Sequence, residues 1–292
     1  MDITDNDNAR ADDTRIETFG EHVRIEARAQ VATVVLDRPA QRNAIDRNVA
    51  DALAAAFARF EAHPHWRAGV LFGAGGTFCA GADLGALGDD ARRNEVHADG
   101  SGPGPLGPTR MLLKKPVIAA ISGYAVAGGL ELALLCDLRV IEQNAVLGVF
   151  CRRVGVPLID GGTVRLPRLI GLSRALDLIL TGRAIEAQEA LAFGLANRVV
   201  APGTARAEAE ALAAQLAAFP QAALLADRRS AWENSTLPDL AEALRREGAQ
   251  GYRAVMDGGL AMAARFAAGA GRHGAAIDAG DIGDTTATSP DD

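Results

Sequence analysis

Glu131 stands three residues after Gly128 in the run Gly123-Tyr124-Ala125-Val126-Ala127-Gly128-Gly129-Leu130-Glu131. A buried strand precedes this run and a helix opens at its end. The amides of Gly128 and Gly129 therefore point outward at the positive end of a helix dipole. A second run, Thr77-Phe78-Cys79-Ala80-Gly81-Ala82-Asp83-Leu84, has the same order of strand, glycine-rich turn and helical start. If a helix begins near Leu84, the amides of Ala82 and Asp83 have no intrahelical partners. Small residues at 80–82 let another group approach the backbone. Two amides converging from different loops are what an enolate or tetrahedral oxyanion requires, and losing one such donor costs about 3–4 kcal/mol of transition-state stabilisation. Small-residue clusters also serve close helix–strand packing, but the pair is more specific than either run alone.

Carboxylates complete the chemistry. Glu131 falls in the first helical turn, beside any oxyanion held at Gly128. It can orient or deprotonate a water, or move a proton at the carbon next to a carbonyl, a contribution of about 10²–10⁴-fold. As a mere complement to the helix dipole it is worth under about 1 kcal/mol. Asp160 precedes Gly161-Gly162. Asp-Gly is a common turn pair; facing the same substrate, however, Asp160 forms a carboxylate pair with Glu131, and mutual repulsion can hold one member protonated. None of the 5 histidines has a second ligand at metal-binding spacing, so no metal is indicated.

The elements that must position these residues are legible as alternating strands and helices. Val31–Leu36 is a β-branched run stopped by Asp37-Arg38-Pro39. Val49–Ala62 carries Val49, Leu53, Phe57 and Phe60 on one helical side. Gly69–Phe72, Pro116–Ile121 and Leu138–Ile141 read as further strands, and Gly100–Pro108 as a surface loop. From Ser173 the chain looks mostly helical, with Ser173 and Thr204 as N-caps and Gly182 and Gly194 as helix stops. The fold class is α/β. The divisions expected are a disordered lead (1–15), an α/β core (16–203), a helical C-terminal region (204–273) and a disordered tail (274–292).

Composition narrows the partners. The chain of 292 residues is 49% hydrophobic but only 4% aromatic, so Ala, Leu, Val and Ile must build its core. The formal charge of −7 argues against nucleic acid. The 3 cysteines form neither a disulfide framework nor a metal knuckle, which fits a reducing, cytoplasmic setting. No apolar run reaches membrane-spanning length.

In their order, these stretches resemble the crotonase family of enoyl-CoA hydratases and isomerases. The likeness runs from about Val31 to Pro202. It is carried by Leu36-Asp37-Arg38-Pro39 with Arg42-Asn43-Ala44, by Phe78–Leu84, by Lys115–Ala125, by Gly128–Ala133, by Gly161-Gly162-Thr163 and by Leu180-Thr181-Gly182-Arg183. The resemblance implies a spiral of ββα units with a helical C-terminal trimerisation region, assembled as a trimer or a dimer of trimers. It implies an oxyanion hole from the amides of Ala82 and Gly128, with coenzyme A carried by the loops around Arg42–Ala44 and Ala80–Leu84. Arg38 and Arg42 are its candidate phosphate contacts, and Ala44, Ala80, Asp83 and Leu84 line its path. Arg265, Phe266, Gly269, Gly271 and Arg272 are candidates to reach a neighbouring subunit. Coenzyme A is part of the substrate, so no separate cofactor is expected.

Hydratases of the family use two glutamates. One matches Glu131. The second position, read without gaps, falls on Cys151, a poor substitute because a thiol is mostly protonated near neutral pH. Its neighbours Arg152 and Arg153 lower that pKa only if they face it, and the plainer reading is a small buried cysteine. Some relatives carry an Asp at the place of Asp160. The expected activity is hydration of a 2-enoyl-CoA. Isomerisation, another acyl-CoA reaction of the fold, and silent acyl-CoA binding are the alternatives.

Overall fold

A computed structural model of the chain describes residues 14–270. The expected disordered lead and tail lie outside these residues, except that Arg15 already begins a strand. The chain divides into two compact units, Met1–Ala214 and Gln215–Asp292, at a point inside one helix.

In the first unit the chain runs β1 (Arg15–Phe19), β2 (Val23–Arg28), β3 (Val31–Leu36), α1 (Arg47–Ala62), β4 (Ala68–Gly73), β5 (Val117–Ile121), β6 (Tyr124–Val126) and α2 (Gly128–Leu135). It continues through β7 (Leu138–Glu142), β8 (Val146–Gly148), α3 (Gly162–Ile170), α4 (Leu172–Thr181), β9 (Ala184–Glu186), α5 (Ala187–Phe193), β10 (Arg198–Val200) and α6 (Ala205–Ala218). A strand–strand–helix unit recurs in β2-β3-α1, β5-β6-α2 and β7-β8-α3.

The larger sheet has the order β1-β2-β3-β4-β5-β7-β10, antiparallel through β3 and parallel beyond it. β5 is wholly buried and β4 nearly so, hence their continuous apolar sequences; β2 alternates because only one face is covered. α1 covers that face. Asp46 caps it by accepting from the Val49 amide at 3.2 Å, and Val49, Leu53, Phe57 and Phe60 are its buried stripe, as the periodicity predicts. Leu53 is fully buried. Leu53→Ala should therefore lower unfolding free energy by about 2–5 kcal/mol in urea denaturation; a change near zero would show that α1 is not part of the cooperative core.

The smaller sheet, β6-β8-β9, builds the site. β6 and β8 run parallel and end at the same edge. Isolated parallel bridges extend this ladder outward, Cys79 beside Ala125 and Ala82 beside Ile45. Four chain segments thus lie side by side and finish together, the usual place for a ligand in a parallel array.

Several sequence expectations need correction. α2 starts at Gly128, inside the 123–131 run rather than at its end. Ser173 lies inside α4, whose N-cap is Gly171; Gly182 and Gly194 do end helices, both left-handed. Short strands β9 and β10 interrupt the helical stretch after Ser173. The 100–108 segment is not a surface loop throughout, for Gly104 through Thr109 are buried. The glycines permit this descent. At Gly107, φ is 85° and an added Cβ would lie 2.2 Å from the Ala50 carbonyl oxygen.

The second unit contains α7 (Gln221–Asn234), α8 (Leu240–Ala254) and α9 (Leu260–Ala267). α7 and α8 pack together, and Asp239 caps α8 through the Ala241 and Glu242 amides. Gly258, with φ of 149°, breaks the path from α8 to α9. Gly271 and Arg272 lie outside the described residues. No single helix among the described residues is long and apolar enough to cross a membrane.

Candidate active site

The two glycine-rich runs meet. An added Cβ at Gly81 would lie 2.9 Å from the Gly128 nitrogen, so the Ala82 loop and the start of α2 are in direct contact. The bridge to Ile45 explains the direction of the Ala82 amide. Ile45 N–H donates to the Gly81 carbonyl and Asp83 N–H donates to the Ile45 carbonyl, each at 2.9 Å. In a parallel ladder the residue between them turns its own N–H the other way. The Ala82 amide has no hydrogen-bond partner among the described residues, and neither has that of Gly128. Both residues are half-buried.

Ala127 precedes Gly128 with φ 53° and ψ −128°, a conformation that side-chain-bearing residues rarely hold. Such strain costs on the order of 1–3 kcal/mol and clusters at functional sites. Ala127 is held there by its N–H bond to the Gly148 carbonyl at 2.9 Å. The strain sets the entry angle of α2 and hence the aim of the Gly128 amide.

α2 reads Gly-Gly-Leu-Glu-Leu-Ala-Leu-Leu and is buried on every side from Gly129 onward, so Glu131 is a lone carboxylate in an apolar helix. Glu131 is only 2% exposed. Its Oε1 accepts from the Asp160 amide at 2.9 Å and the Gly162 amide at 2.7 Å. Gly162 opens α3, so Glu131 caps that helix. These bonds favour the charged form, but burial outweighs them and, with help from Asp160, lifts the Glu131 pKa to about 7.

Asp160 is also buried. Its Oδ1 accepts from the Leu106 amide at 2.9 Å and from the Thr109 hydroxyl. Burial raises its pKa against these two donors and the nearby arginines. The two carboxylates are built alike, with one oxygen of each tied down. Oε2 of Glu131 and Oδ2 of Asp160 have no hydrogen-bond partner among the described residues.

Leu106 and Thr109 escape sequence reasoning, because their link to Asp160 spans more than fifty residues of chain. The only local signal is a leucine inside a Gly/Pro run. Leu106 closes the site from above: its Cδ1 would lie 2.3 Å from a Cβ added at Gly128.

The remaining predicted residues divide. Ala80 N–H donates to the Arg42 carbonyl at 3.1 Å, so the 42–45 and 80–83 segments are zipped together. Arg42 and Leu84 are exposed along this edge, while Ala44 is buried. Arg38 is not a free surface cation. It is buried, and its Nη1 donates to the Ala44 carbonyl at 2.7 Å and to Asp83 at 2.9 Å, with Asp46 3.4 Å from Nη2. Asp83 is likewise engaged with Arg38 and Arg92. The two residues brace the Ala82 loop rather than reach outward.

Cys151 does not fit the place of a second carboxylate. It is buried, and burial together with the charge of Glu131 raises its pKa, which keeps the thiol protonated. Arg152 and Arg153 turn aside to the carbonyls of Ile179 and Gly182.

Parallel strand ends, two free amides from adjoining loops and a half-tethered buried carboxylate pair define an enzyme that works on a carbonyl compound. Comparison with known proteins gives the family: residues 26–256 match enoyl-CoA hydratase/isomerase. A carnitinyl-CoA dehydratase of Proteus mirabilis (strain HI4320) is 38% identical over 201 residues, covering 68% of this chain and 76% of that protein. The enoyl-CoA hydratase EchA19 of Mycobacterium tuberculosis is 37% identical over 222 residues, 74% of this chain and 82% of the relative. Among solved structures, the enoyl-CoA hydratase EchA1 of Mycobacterium marinum superposes with a TM-score of 0.78 at 34% identity, over 85% of this chain and 96% of that one. The chain belongs to the enoyl-CoA hydratase/isomerase family and has its crotonase fold. It is an enoyl-CoA hydratase or a related acyl-CoA enzyme.

Proposed function

We propose that this enzyme adds water across the double bond of a 2-enoyl-CoA. The thioester oxygen lies between the amides of Ala82 and Gly128. Charge grows on that oxygen as water adds to the β-carbon, so the two donors favour the transition state over the ground state. Glu131 accepts a proton from water through Oε2, the β-carbon takes the hydroxyl, and the α-carbon receives a proton from Asp160. The observation that carries this reading is the carboxylate pair itself, with one oxygen of each member fixed and the other without a hydrogen-bond partner among the described residues. Asp160, a carboxylic acid, suits this role better than Cys151, whose raised thiol pKa makes it the weaker proton donor.

Coenzyme A runs along the zipped Arg42–Ala44 and Ala80–Leu84 edge as part of the substrate, with Arg42 as its phosphate contact. No separate cofactor is invoked. The C-terminal helices expose Leu240, Leu244, Tyr252, Leu260 and Phe266, which supports assembly as a homotrimer or a dimer of trimers.

The test is the ultraviolet absorbance of the conjugated thioester after protein is added to crotonyl-CoA. Hydration removes the absorbance. Asp160→Asn should slow this by about 10²–10⁴-fold, the span of general acid catalysis, while leaving binding intact. An unchanged rate would remove Asp160 from the mechanism. The missing second glutamate, with Cys151 at its place, favours one further reading, isomerisation of a 3-enoyl-CoA, in which Glu131 alone carries the proton between carbons. Appearance of the conjugated absorbance from a 3-enoyl-CoA, without hydroxyacyl product, identifies that reaction.

A further inference from the structure

One cation beside the carboxylate pair has no part in the acid–base reading. Arg165 lies in the first turn of α3, three residues after Gly162. Its Nη1 donates to the Asp160 carbonyl at 3.1 Å, and its Nη2 donates to the Thr109 carbonyl at 2.8 Å. Those carbonyls belong to the two residues joined by the Thr109 hydroxyl–Asp160 carboxylate bond. The guanidinium therefore closes a ring in which Thr109 and Asp160 are joined both by their side chains and, through Arg165, by their backbones.

Neither acceptor carries a formal charge, and Arg165 makes no ion pair among the described residues. A half-buried cation without a direct counter-ion is unfavourable, and burial accordingly pulls its pKa down. The charge is useful only for what lies near it, which is Glu131 and Asp160.

We propose that Arg165 is a positioning residue of this active site: its two-pronged bond fixes Asp160 against the Thr109 turn, and its charge, which no ion pair among the described residues takes up, disfavours a second proton on the carboxylate pair. The proposal rests on reading Glu131 and Asp160 as the acid–base pair. The other groups near them are few. Glu131 acts on the Cys151 thiol and Asp160 on that of Cys79, while Cys136 and Arg168 act on Arg165. All three thiols are buried with raised pKa values, so they stay neutral. Arg110 acts on Asp160 from the rim, its guanidinium held by the carbonyls of Gly100, Ser101 and Ile159. Arg165 lowers the proton affinity of both carboxylates.

Infrared titration of the full-length free protein tests this without requiring turnover. The protonated-carboxyl band of the pair is assigned with Glu131→Gln and Asp160→Asn and followed against pH. Arg165→Gln should move its midpoint upward. It should also lower kcat on crotonyl-CoA by about tenfold to a hundredfold, the scale of an ångström-level misplacement, with KM little changed. Arg165→Lys keeps the charge but lacks a fork to span both carbonyls. It should hold the midpoint in place and still lower kcat. The proposal is overturned if folded Arg165→Gln leaves midpoint and kcat unchanged, or if Arg165→Lys shifts the midpoint as far as Gln does. Should Arg165→Gln fail to fold, the Lys variant decides by the same two readouts: kcat equal to that of the unaltered protein overturns the positioning role. If the unaltered protein hydrates no enoyl-CoA, the functional reading fails, and the infrared midpoints still decide the role of Arg165.

Discussion

Glu131→Gln should reduce crotonyl-CoA hydration by about 10²–10⁴-fold in kcat, with KM nearly unchanged. Gln can still accept from the Asp160 and Gly162 amides that hold Oε1, so the loop before α3 keeps its place and the melting temperature should stay close to that of the unaltered protein. What is lost is a group at Oε2 able to accept a proton. Turnover within twofold of the unaltered enzyme, with an intact fold, would remove Glu131 from the chemistry. The pH profile gives an independent check. Burial places the Glu131 pKa at about 7. The charged form is the proton acceptor, so kcat/KM should rise with pH through about 7 and fall away below it. Burial raises Asp160 as well, so this limb belongs to the pair rather than to either residue alone. A profile flat from pH 6 to 8 (roughly one unit either side of that pKa) would contradict the assignment.

The parts of this design that lie close together in the chain were legible in the sequence. Val31–Leu36 and Gly69–Phe72 are mostly apolar because strands inside the sheet are covered on both faces, and each is a strand, as is Leu138–Ile141 despite its buried Arg139. The spacing from Gly128 to Glu131 is one helical turn, so the amide and the carboxylate stay together wherever α2 packs. β1 gave no such signal, since its side chains are mostly exposed and its sequence does not alternate. Arg38 read as a solvated cation because nothing local reveals that Ala44, Asp83 and Asp46 surround it. Asp160 had a recognisable place in the chain, but its partners did not. Leu106 and Thr109 reach it from a segment whose glycines and prolines read as solvent-exposed, and only the fold turns that segment inward.

Gly81→Ala should damage the oxyanion hole while leaving the carboxylates untouched. Gly81 has φ of 96°, and its added methyl would lie 2.9 Å from the Gly128 nitrogen, 3.1 Å from the Ala127 Cβ and 3.3 Å from the Val126 carbonyl oxygen. Two of these three are backbone atoms, and Ala127 is already strained, so no flexible side chain can yield. Relief must come from moving the Ala82 loop away from α2, which separates the two amides. Losing one donor of such a pair costs about 10²–10³-fold in kcat, and kcat/KM should fall by that amount. The pH limb assigned to Glu131 should keep its midpoint, since nothing near that carboxylate changes. Gly88→Ala is the matched control. A Cβ there meets nothing within 4 Å, so kcat/KM should stay within about twofold, as surface substitutions usually allow. Equal activity of the Gly81 and Gly88 variants would show that the Ala82 amide does not bind the thioester oxygen. A Gly81 variant that loses activity through a shifted pH limb would place the damage at Glu131 instead.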